Sequence, residues 1–148
     1  VVLVMRTVDE LTRSFRNQGL RVTPQRQCIF RLLQGHDGHP TVESLYEAAQ
    51  GEMPTISLKT VYQTVHDLAG MGEVSLLDLG TGSARVDPNV EEAHHHLICV
   101  RCGKVRDLLV DVSELRPAAR QQHGFTVSSV EVNFRGVCEE CASVSPVP

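Results

Sequence analysis

The chain has 148 residues and a mass of 16.3 kDa, which is enough for one ordinary domain or two small ones. Hydrophobic residues make up 41% of the chain and charged residues 22%, a composition that predicts a soluble, globular protein. A helix that spans a membrane needs about eighteen consecutive apolar residues, and no run in this sequence is that long, which excludes a membrane protein. The formal net charge of −4 gives no general support for binding nucleic acid, so a DNA contact would need a local basic surface.

Such a surface is present in the N-terminal half. The segment Leu11–His36 contains five arginines and neither Asp nor Glu. Residues 1–71 carry seven basic and seven acidic side chains, whereas 72–148 carry seven basic and eleven acidic ones. The basic stripe favours contact with phosphates, although a solvated charged face explains it as well.

The N-terminal residues indicate in which cell compartment the protein is expected. The apolar run Val1–Val4 is too short for a signal peptide, and we expect it to be leader sequence before Met5. A chain without an export signal is expected in the cytoplasm, where paired cysteines bind metal or stay as thiols more often than they form disulfides.

Three helix starts are marked along residues 1–88. Thr23-Pro24 combines an N-cap residue with Pro at the first helical position, Pro40-Thr41 starts a second helix, and Ser57 can cap a third. The third helix is predicted to end at Gly70 and Gly72. Its apolar residues recur at helical spacing: Leu58, Val61, Val65 and Leu68.

The outer face of this third helix is polar and suited to a DNA groove. It carries Lys59, Thr60, Tyr62, Gln63 and His66, which can reach phosphates and base edges. Together with Arg21 from the basic stripe, the first four of these residues are our predicted DNA contacts.

Two strand-like runs follow, Glu73–Leu79 and Ser83–Asp87, joined by Gly80-Thr81-Gly82. Helices followed by a hairpin predict a winged helix-turn-helix DNA-binding domain over residues 1–88. Another small helical domain with a hairpin is the alternative at this point.

Residues 89–148 are predicted to form a second, α/β domain behind a hinge at Pro88-Asn89 and Glu91-Glu92. Its predicted elements are strands at His96–Val100 and Val105–Val110, a helix at Val112–His123 and a strand at Phe125–Phe134. So small a unit needs a metal and a partner chain to complete its core. The whole fold is therefore predicted to be α+β.

The strongest chemical signal is the pair of motifs Cys99-x-x-Cys102 and Cys138-x-x-Cys141. Each presents two thiolates from one turn, and two such turns complete a closed tetrahedral Zn²⁺ site, which is structural because no position stays open for substrate. Two disulfides are the alternative. Cys28 lies in an apolar helix and is predicted to be a buried core residue.

A second ligand group surrounds the histidine run at 94–96. On a strand His94 and His96 face one side, and Asp107 lies on the neighbouring predicted strand. With Asp87 and His39 from the first domain, three imidazoles and two carboxylates suit a first-row divalent ion. An ion held by both domains would fix their orientation and so favour the DNA-binding state. A solvated histidine run is the alternative.

Three segments together resemble one known family. They are Gly19–Arg26 (GLRVTPQR), Ser57-x-x-Thr60-Val61-Tyr62, and HHHLICVRCGKVRD from His94 to Asp107, and the final CxxC completes the pattern. Over residues 8–142 the chain resembles the ferric uptake regulator family. The resemblance implies a homodimeric winged-helix repressor that binds double-stranded operator DNA when loaded with metal.

Within this family the chain resembles most the peroxide-repressor branch, which places its regulatory ligands where this chain has His39, Asp87, His94, His96 and Asp107. Many iron-responsive members have Glu at the position of Asp107. They often hold a further metal site. At two of its ligand positions this chain has Ala93 and Val130, which cannot bind metal, and only His95 and Glu114 remain as ligands. That further site is therefore expected to be absent.

The resemblance implies a specific signal. Fe²⁺ in the regulatory site would react with hydrogen peroxide and oxidise His39 or His94, and the loss of a ligand would release DNA, whereas Mn²⁺ would repress without this response. The alternative is a regulator that responds to the concentration of iron, zinc, manganese or nickel. A zinc-dependent hydrolase that uses the histidines is a further alternative, but the sequence offers no convincing catalytic carboxylate beside an open zinc site, so we expect that the protein is not an enzyme. A zinc-binding interaction module is also possible.

Overall fold

We describe a computed structural model of the chain, covering residues 6–34, 36, 38–80, 82–88 and 94–145. The backbone divides into two compact units, residues 1–92 and 93–148. Most of the predicted hinge, Asn89 and Glu91-Glu92, lies outside the described residues, as do Val1–Val4 and Ala93.

Among its described residues the first unit has four helices, and side chains that cap their first turns explain where they begin. Thr23 accepts a hydrogen bond from the N–H of Arg26, Thr41 from that of Ser44, and Ser57 from that of Thr60. These are the starts predicted from the sequence. The helices are α1 (Val8–Asn17), α2 (Pro24–Gln34), α3 (Val42–Glu52) and α4 (Leu58–Gly70).

The core of this unit lies between the four helices. The rings of Phe15 in α1 and Phe30 in α2 pack 4.8 Å apart. Val61, Val65 and Leu68 form the buried side of α4, as their spacing predicted, whereas Leu58, the first residue of that predicted side, is exposed. This packing leaves the opposite side of α4 in solvent.

A two-stranded antiparallel hairpin follows the helices. Strand β1 (Ser75–Leu77) pairs with β2 (Arg85–Asp87), and Ser75 lies opposite Asp87. The predicted strands are present but shorter than the sequence indicated. The N–H of Val86 donates to the carbonyl of Pro40 at 2.8 Å, which ties the hairpin to the segment before α3.

The second unit is built on a three-stranded sheet in the order β4-β3-β5. Strand β3 (His95–Cys99) pairs antiparallel with β4 (Val105–Leu108) and parallel with β5 (Asn133–Gly136). A short helix, α5 (Glu139–Val144), follows. With the helical first unit, this gives the predicted α+β architecture.

Two predictions within the second unit were wrong. The segment predicted as a helix at Val112–His123 contains a single 3-10 turn, Ala119–Gln121, and the strand predicted at Phe125–Phe134 begins at Asn133. Pro117 explains the first error, because it lacks an N–H and disfavours helical backbone at the preceding residue. Leu115 and Phe125 are exposed, so no packed surface compensates for this local preference.

The second unit has little apolar interior of its own. Ile98, Cys99 and Val105 are its buried hydrophobic residues in the described part of the chain. None of the helices in the described ranges has the length and apolar character needed to cross a membrane.

Candidate metal centres and DNA-facing helix

The four predicted zinc ligands come together in the second unit. Cys99 is the last residue of β3, and Cys102 lies in the turn after it. Cys138 is the N-cap residue of α5, and Cys141 lies within this helix. Their sulfur atoms all lie within 4.8 Å of one another. The sulfurs of Cys102 and Cys138 are 3.8 Å apart, which matches the edge of about 3.8 Å of a tetrahedron with Zn–S bonds of about 2.3 Å.

The electrostatics of this cysteine cluster favour a bound cation. The backbone N–H of Cys138 donates to the sulfur of Cys99 at 3.4 Å. This bond, with a second from Cys102, lowers the pKa of Cys99 to about 6. Hydrogen bonds to the sulfurs of Cys138 and Cys102 raise the pKa of Cys141 to about 12. Four thiolates cannot coexist here without a positive ion to offset their repulsion.

Cys28 differs from these four, as predicted. It is fully buried in α2, and its sulfur lies 3.4 Å from Oε2 of Glu52. Burial raises the pKa of the Cys28 thiol, and the hydrogen bond to the carboxylate acts in the same direction. The thiol is therefore an inert part of the core.

Two predicted regulatory ligands form a buried pair in the first unit. Nε2 of His39 and Oδ2 of Asp87 are 3.5 Å apart, and both side chains are almost completely buried. The guanidinium of Arg85 donates to the carbonyl of His39 at 3.1 Å. The hairpin therefore holds a carboxylate and an imidazole together at the end of β2.

The other three predicted regulatory ligands lie close together in the second unit. Oδ1 of Asp107 is 3.4 Å from Nε2 of His94 and 3.8 Å from Nε2 of His96. The antiparallel register explains this, since His96 and Asp107 are direct partners across β3 and β4. The rings of His94 and His96 are 4.9 Å apart and nearly perpendicular. His96 is buried, while Asp107 remains partly exposed.

One neighbour of these ligands was not predicted. Oε1 of Glu131 lies 3.6 Å from Nδ1 of His96, where a carboxylate can orient the ring and make its other nitrogen a better donor to metal. Glu131 reaches this position because the following strand, β5, pairs parallel with β3, and His96 lies opposite Asn133. The nearest signal in the sequence was the alternation of apolar and polar residues in 125–134, which predicts a strand but does not show that this strand pairs parallel with β3.

The outer side of α4 carries most of the predicted DNA contacts. Lys59, Tyr62, Gln63 and His66 are exposed, and Thr60 is half-buried. The Tyr62 hydroxyl donates to Glu43 at 2.6 Å, and the Gln63 amide donates to Asp67 at 3.0 Å.

Arg21 is exposed in the segment before α2. Its carbonyl accepts a hydrogen bond from Arg26 at 3.0 Å, and Arg26 forms an ion pair with Asp67 of α4 at 2.9 Å. Four of the five predicted DNA contacts therefore lie on one helix, and the backbone of Arg21 is held by a residue that contacts this helix.

The fold and these clustered ligands define a metal-binding α+β protein, and comparison with known proteins identifies its relatives. The model of the ferric uptake regulator family matches residues 17–135. A peroxide-responsive repressor from Staphylococcus aureus is 36% identical over 135 residues, which cover 90% of this chain and 90% of that protein. The chain belongs to the ferric uptake regulator family, whose members are metal-responsive transcription regulators.

Solved structures agree on the fold. A zinc-bound manganese uptake regulator is 32% identical with a TM-score of 0.69, and the match covers 90% of this chain and 99% of that one. The ferric uptake regulator of Helicobacter pylori is 21% identical with a TM-score of 0.76, covering 95% and 97% of the two chains, a likeness of fold alone.

Proposed function

We propose that this chain is a metal-dependent, DNA-binding repressor that senses hydrogen peroxide through oxidation of a histidine ligand. The observation that carries the proposal is the arrangement of two incomplete ligand groups. The first unit presents His39 beside Asp87, and the second presents His94 and His96 around Asp107. We infer that one ion binds all five side chains.

The chemistry of the donor groups fits this ion. Imidazole nitrogens with carboxylate oxygens suit iron, manganese and other first-row divalent ions. His39, Asp87 and His96 are buried, and burial of such groups is costly unless they are paired or bind a metal. The two acids partly offset the charge of a divalent ion.

The cysteine cluster would hold a separate, structural zinc. Its four sulfurs leave no position open for substrate. The second unit has few buried apolar residues, so the free energy of zinc binding would supply much of its folding free energy. Zinc at this cluster therefore supports the shape of the sheet that carries His94, His96 and Asp107.

Control of DNA binding follows from the division of the ligands between two units. A metal that binds both groups stabilises the arrangement of the units in which all ligands meet. If operator DNA binds that arrangement better, metal and DNA strengthen each other's binding by the same factor. The polar side of α4, with Lys59, Thr60, Tyr62 and Gln63, would enter the major groove of double-stranded DNA, and the β1–β2 hairpin would be the wing. Arg21 is proposed to contact the phosphate backbone.

We propose that the repressor is a homodimer in the cytoplasm, joined through the second unit. Large hydrophobic side chains are exposed there on β3, on β5 and in the segment between β4 and β5, including Leu97, Leu115, Phe125 and Phe134. Leu97 and Phe134 also line an apolar cavity of about 260 Å³. A second copy of this surface would bury these side chains.

The peroxide signal is supported by the relative from Staphylococcus aureus and by Asp107 in the regulatory group. Fe²⁺ held by these side chains would supply the electron that cleaves hydrogen peroxide and would regain one from the oxidised ring. The imidazole of His39 or His94 would gain one oxygen atom, a ring C–H becoming C–OH, and the second peroxide oxygen would leave as water. An oxidised ring would donate poorly to metal, so the ion would be lost and DNA would be released.

A sensor of metal concentration is the second candidate. It is favoured by the 32% identity with a manganese uptake regulator. In that case the same ligands would respond to occupancy by iron, manganese, zinc or nickel, and peroxide would have no specific effect on the histidines.

Peptide mass spectrometry after peroxide treatment separates the two candidates. Protein carrying the structural zinc is loaded with Fe²⁺ or with Mn²⁺, treated with hydrogen peroxide, and digested. We expect the peptide containing His39 or His94 to gain the mass of one oxygen atom in the iron-loaded sample and to stay unchanged in the manganese-loaded sample.

His66 provides an internal control, because it is an exposed histidine on α4 and belongs to neither ligand group. Oxidation of the His66 peptide to the same extent would show unspecific damage and contradict the proposal. Oxidation confined to cysteines would contradict it as well and would leave metal sensing as the better explanation.

A further inference from the structure

On the exposed side of α4, the protein itself fixes the orientation of the Gln63 amide. Nε2 of Gln63 donates a hydrogen bond to Oδ1 of Asp67 at 3.0 Å. Asp67 lies four residues further along α4, so the two side chains are neighbours on one side of the helix. Because a carboxylate only accepts hydrogen bonds, the amide must turn its nitrogen toward Asp67 and its oxygen away from it.

Asp67 is held in place by a second partner, Arg26 of α2. Nη2 of Arg26 lies 2.9 Å from Oδ2 of Asp67, and both side chains are mostly buried, with exposed fractions of 15% and 16%. Arg26 has two further contacts: Nη1 donates to the carbonyl of Arg21 at 3.0 Å, and the guanidinium lies 5.3 Å from the centre of the Phe15 ring. A chain of contacts therefore joins the buried ring of Phe15 to the exposed amide of Gln63.

The ion pair also makes a carboxylate acceptable at this position. DNA phosphates would repel an unpaired carboxylate on the side of α4 that is proposed to face the groove. The guanidinium of Arg26 offsets the charge of Asp67 at 2.9 Å. Asp67 can therefore orient Gln63 without opposing the approach of DNA.

The hydrogen bond to Asp67 decides which groups Gln63 can offer to a base. A glutamine amide has two N–H donors and one accepting oxygen, and Asp67 occupies one of the donors. Donation through the N–H remote from Oε1 keeps the amide oxygen and the carboxylate apart, so Oε1 and the other N–H stay side by side. Neither of these two groups has a hydrogen-bond partner among the described residues. The free edge of the amide thus presents one donor and one acceptor.

This pair of groups matches the major-groove edge of adenine. Adenine presents one acceptor, N7, and one donor, the N6 amino group, whereas guanine presents two acceptors, N7 and O6. Cytosine and thymine each offer only one of the two kinds of group. Adenine is therefore the base that uses both groups that Gln63 retains.

We propose that Asp67 and Arg26 are positioning residues that make Gln63 a reader of adenine in the operator. The inference rests on the proposed function, because it requires α4 to enter the major groove. Asp67 and Arg26 act through Gln63 and contact no base. Without Asp67 the amide can turn over and donate to guanine as well, so the protein distinguishes the two bases less well.

Affinities for operator variants, measured by fluorescence anisotropy, test this inference. The manganese-loaded wild type selects an operator from a random library, and each base pair of that operator is then replaced singly. The position read by Gln63 is the one at which Gln63→Ala loses the wild-type preference. We expect adenine at this position, preferred over guanine about tenfold or more by the wild type.

Variants of Asp67 test the positioning role. In Asp67→Ala we expect the preference for adenine over guanine to fall about 3- to 10-fold, because one hydrogen bond no longer fixes the amide. Asp67→Asn, which keeps the size of the side chain, should act in the same direction, since its amide can turn a donor toward Gln63. Asp67→Glu keeps the carboxylate and should retain most of the preference.

Two controls separate positioning from general damage. Glu47→Ala removes the same negative charge from the exposed surface of α3 and should leave the preference unchanged. In the Gln63→Ala background, Asp67→Ala should also change no preference, because the side chain through which Asp67 acts is gone.

The possible results distinguish this inference from the proposed function. If the manganese-loaded wild type selects no operator, the proposed function is wrong and the inference falls with it. If an operator is bound but Gln63 reads guanine or no base, the inference alone is overturned. Equal weakening of the adenine and guanine operators by the Asp67 variants would overturn it too, since a purely structural role has that effect.

Discussion

Single residues of the same type have very different chemistry in this chain. The pKa of Cys99 is lowered to about 6 by backbone N–H groups, whereas burial raises the pKa of Cys28. The first sulfur is prepared to ionise and bind metal, and the second is not. The roles of these cysteines follow from their surroundings.

The cysteine cluster leads to a prediction at this scale. Cys138→Ser should abolish zinc binding at stoichiometric metal, because one of four thiolates is lost and the backbone donor to Cys99 is disturbed. We expect less than one zinc per chain by metal analysis and a second unit that is unfolded or unable to dimerise, seen by circular dichroism and light scattering.

Cys28→Ala serves as the control for this variant. Its sulfur contacts Glu52 and none of the cluster, so zinc content should remain that of the wild type. If Cys138→Ser retained a full complement of zinc through dialysis and stayed dimeric, the assignment of a structural four-cysteine site would be wrong.

Spacing in the sequence was sufficient to select the cysteines and histidines that the structure brings together, but not the side chains beside them. Two CxxC pairs and alternate histidines have local periods, so a strand or turn suffices to predict which side chains share a face. Glu131 could not be found in this way, because its approach to His96 depends on the parallel pairing of β3 with β5. Such long-range pairing leaves no local pattern.

At the scale of elements, capping residues explain the success in the first unit. Thr23, Thr41 and Ser57 each mark a helix start through one side chain and one N–H, an interaction that the sequence displays directly. The capping box of α1, in which Thr7 and Glu10 exchange hydrogen bonds, carries the same kind of signal and was overlooked.

The cap of α4 gives the element-scale prediction. Ser57→Ala should lower the free energy of unfolding by about 1 kcal/mol, because the Thr60 N–H loses the Ser57 hydroxyl as an acceptor at 3.1 Å and keeps only the Ser57 carbonyl. Urea denaturation of the metal-loaded protein measures this. Ser83→Ala, an exposed serine outside any helix, should leave the free energy unchanged; equal effects of the two substitutions would refute the capping role.

The helix predicted in the second unit was wrong, because helix formation also depends on contacts outside the segment. Helical spacing at Val112, Leu115 and Ala119 indicated a helix, but the chain has Pro117 within the segment and leaves Leu115 exposed. Helices of this length depend on packing of their apolar face. Without such packing, the local preference set by Pro117 decides the structure of the segment.

At the scale of the whole molecule, the proposed function depends on one ion binding two units that each fold around a separate set of contacts. Each unit holds its own part of the proposed ligand group, His39 with Asp87 in one and His94, His96 and Asp107 in the other. An ion that binds both would convert metal occupancy into a fixed orientation of the units. The coupling of metal and operator binding is therefore the central claim.

Operator affinity with and without regulatory metal tests this claim most directly. A duplex is first selected from a random library by the manganese-loaded protein, and its affinity is then measured by fluorescence anisotropy. The compared samples both carry the cysteine-bound zinc, and one is stripped of all other metal. We predict that stripping weakens binding about 10- to 100-fold and that added Mn²⁺ restores it. Equal affinity of the stripped and loaded proteins would contradict the account.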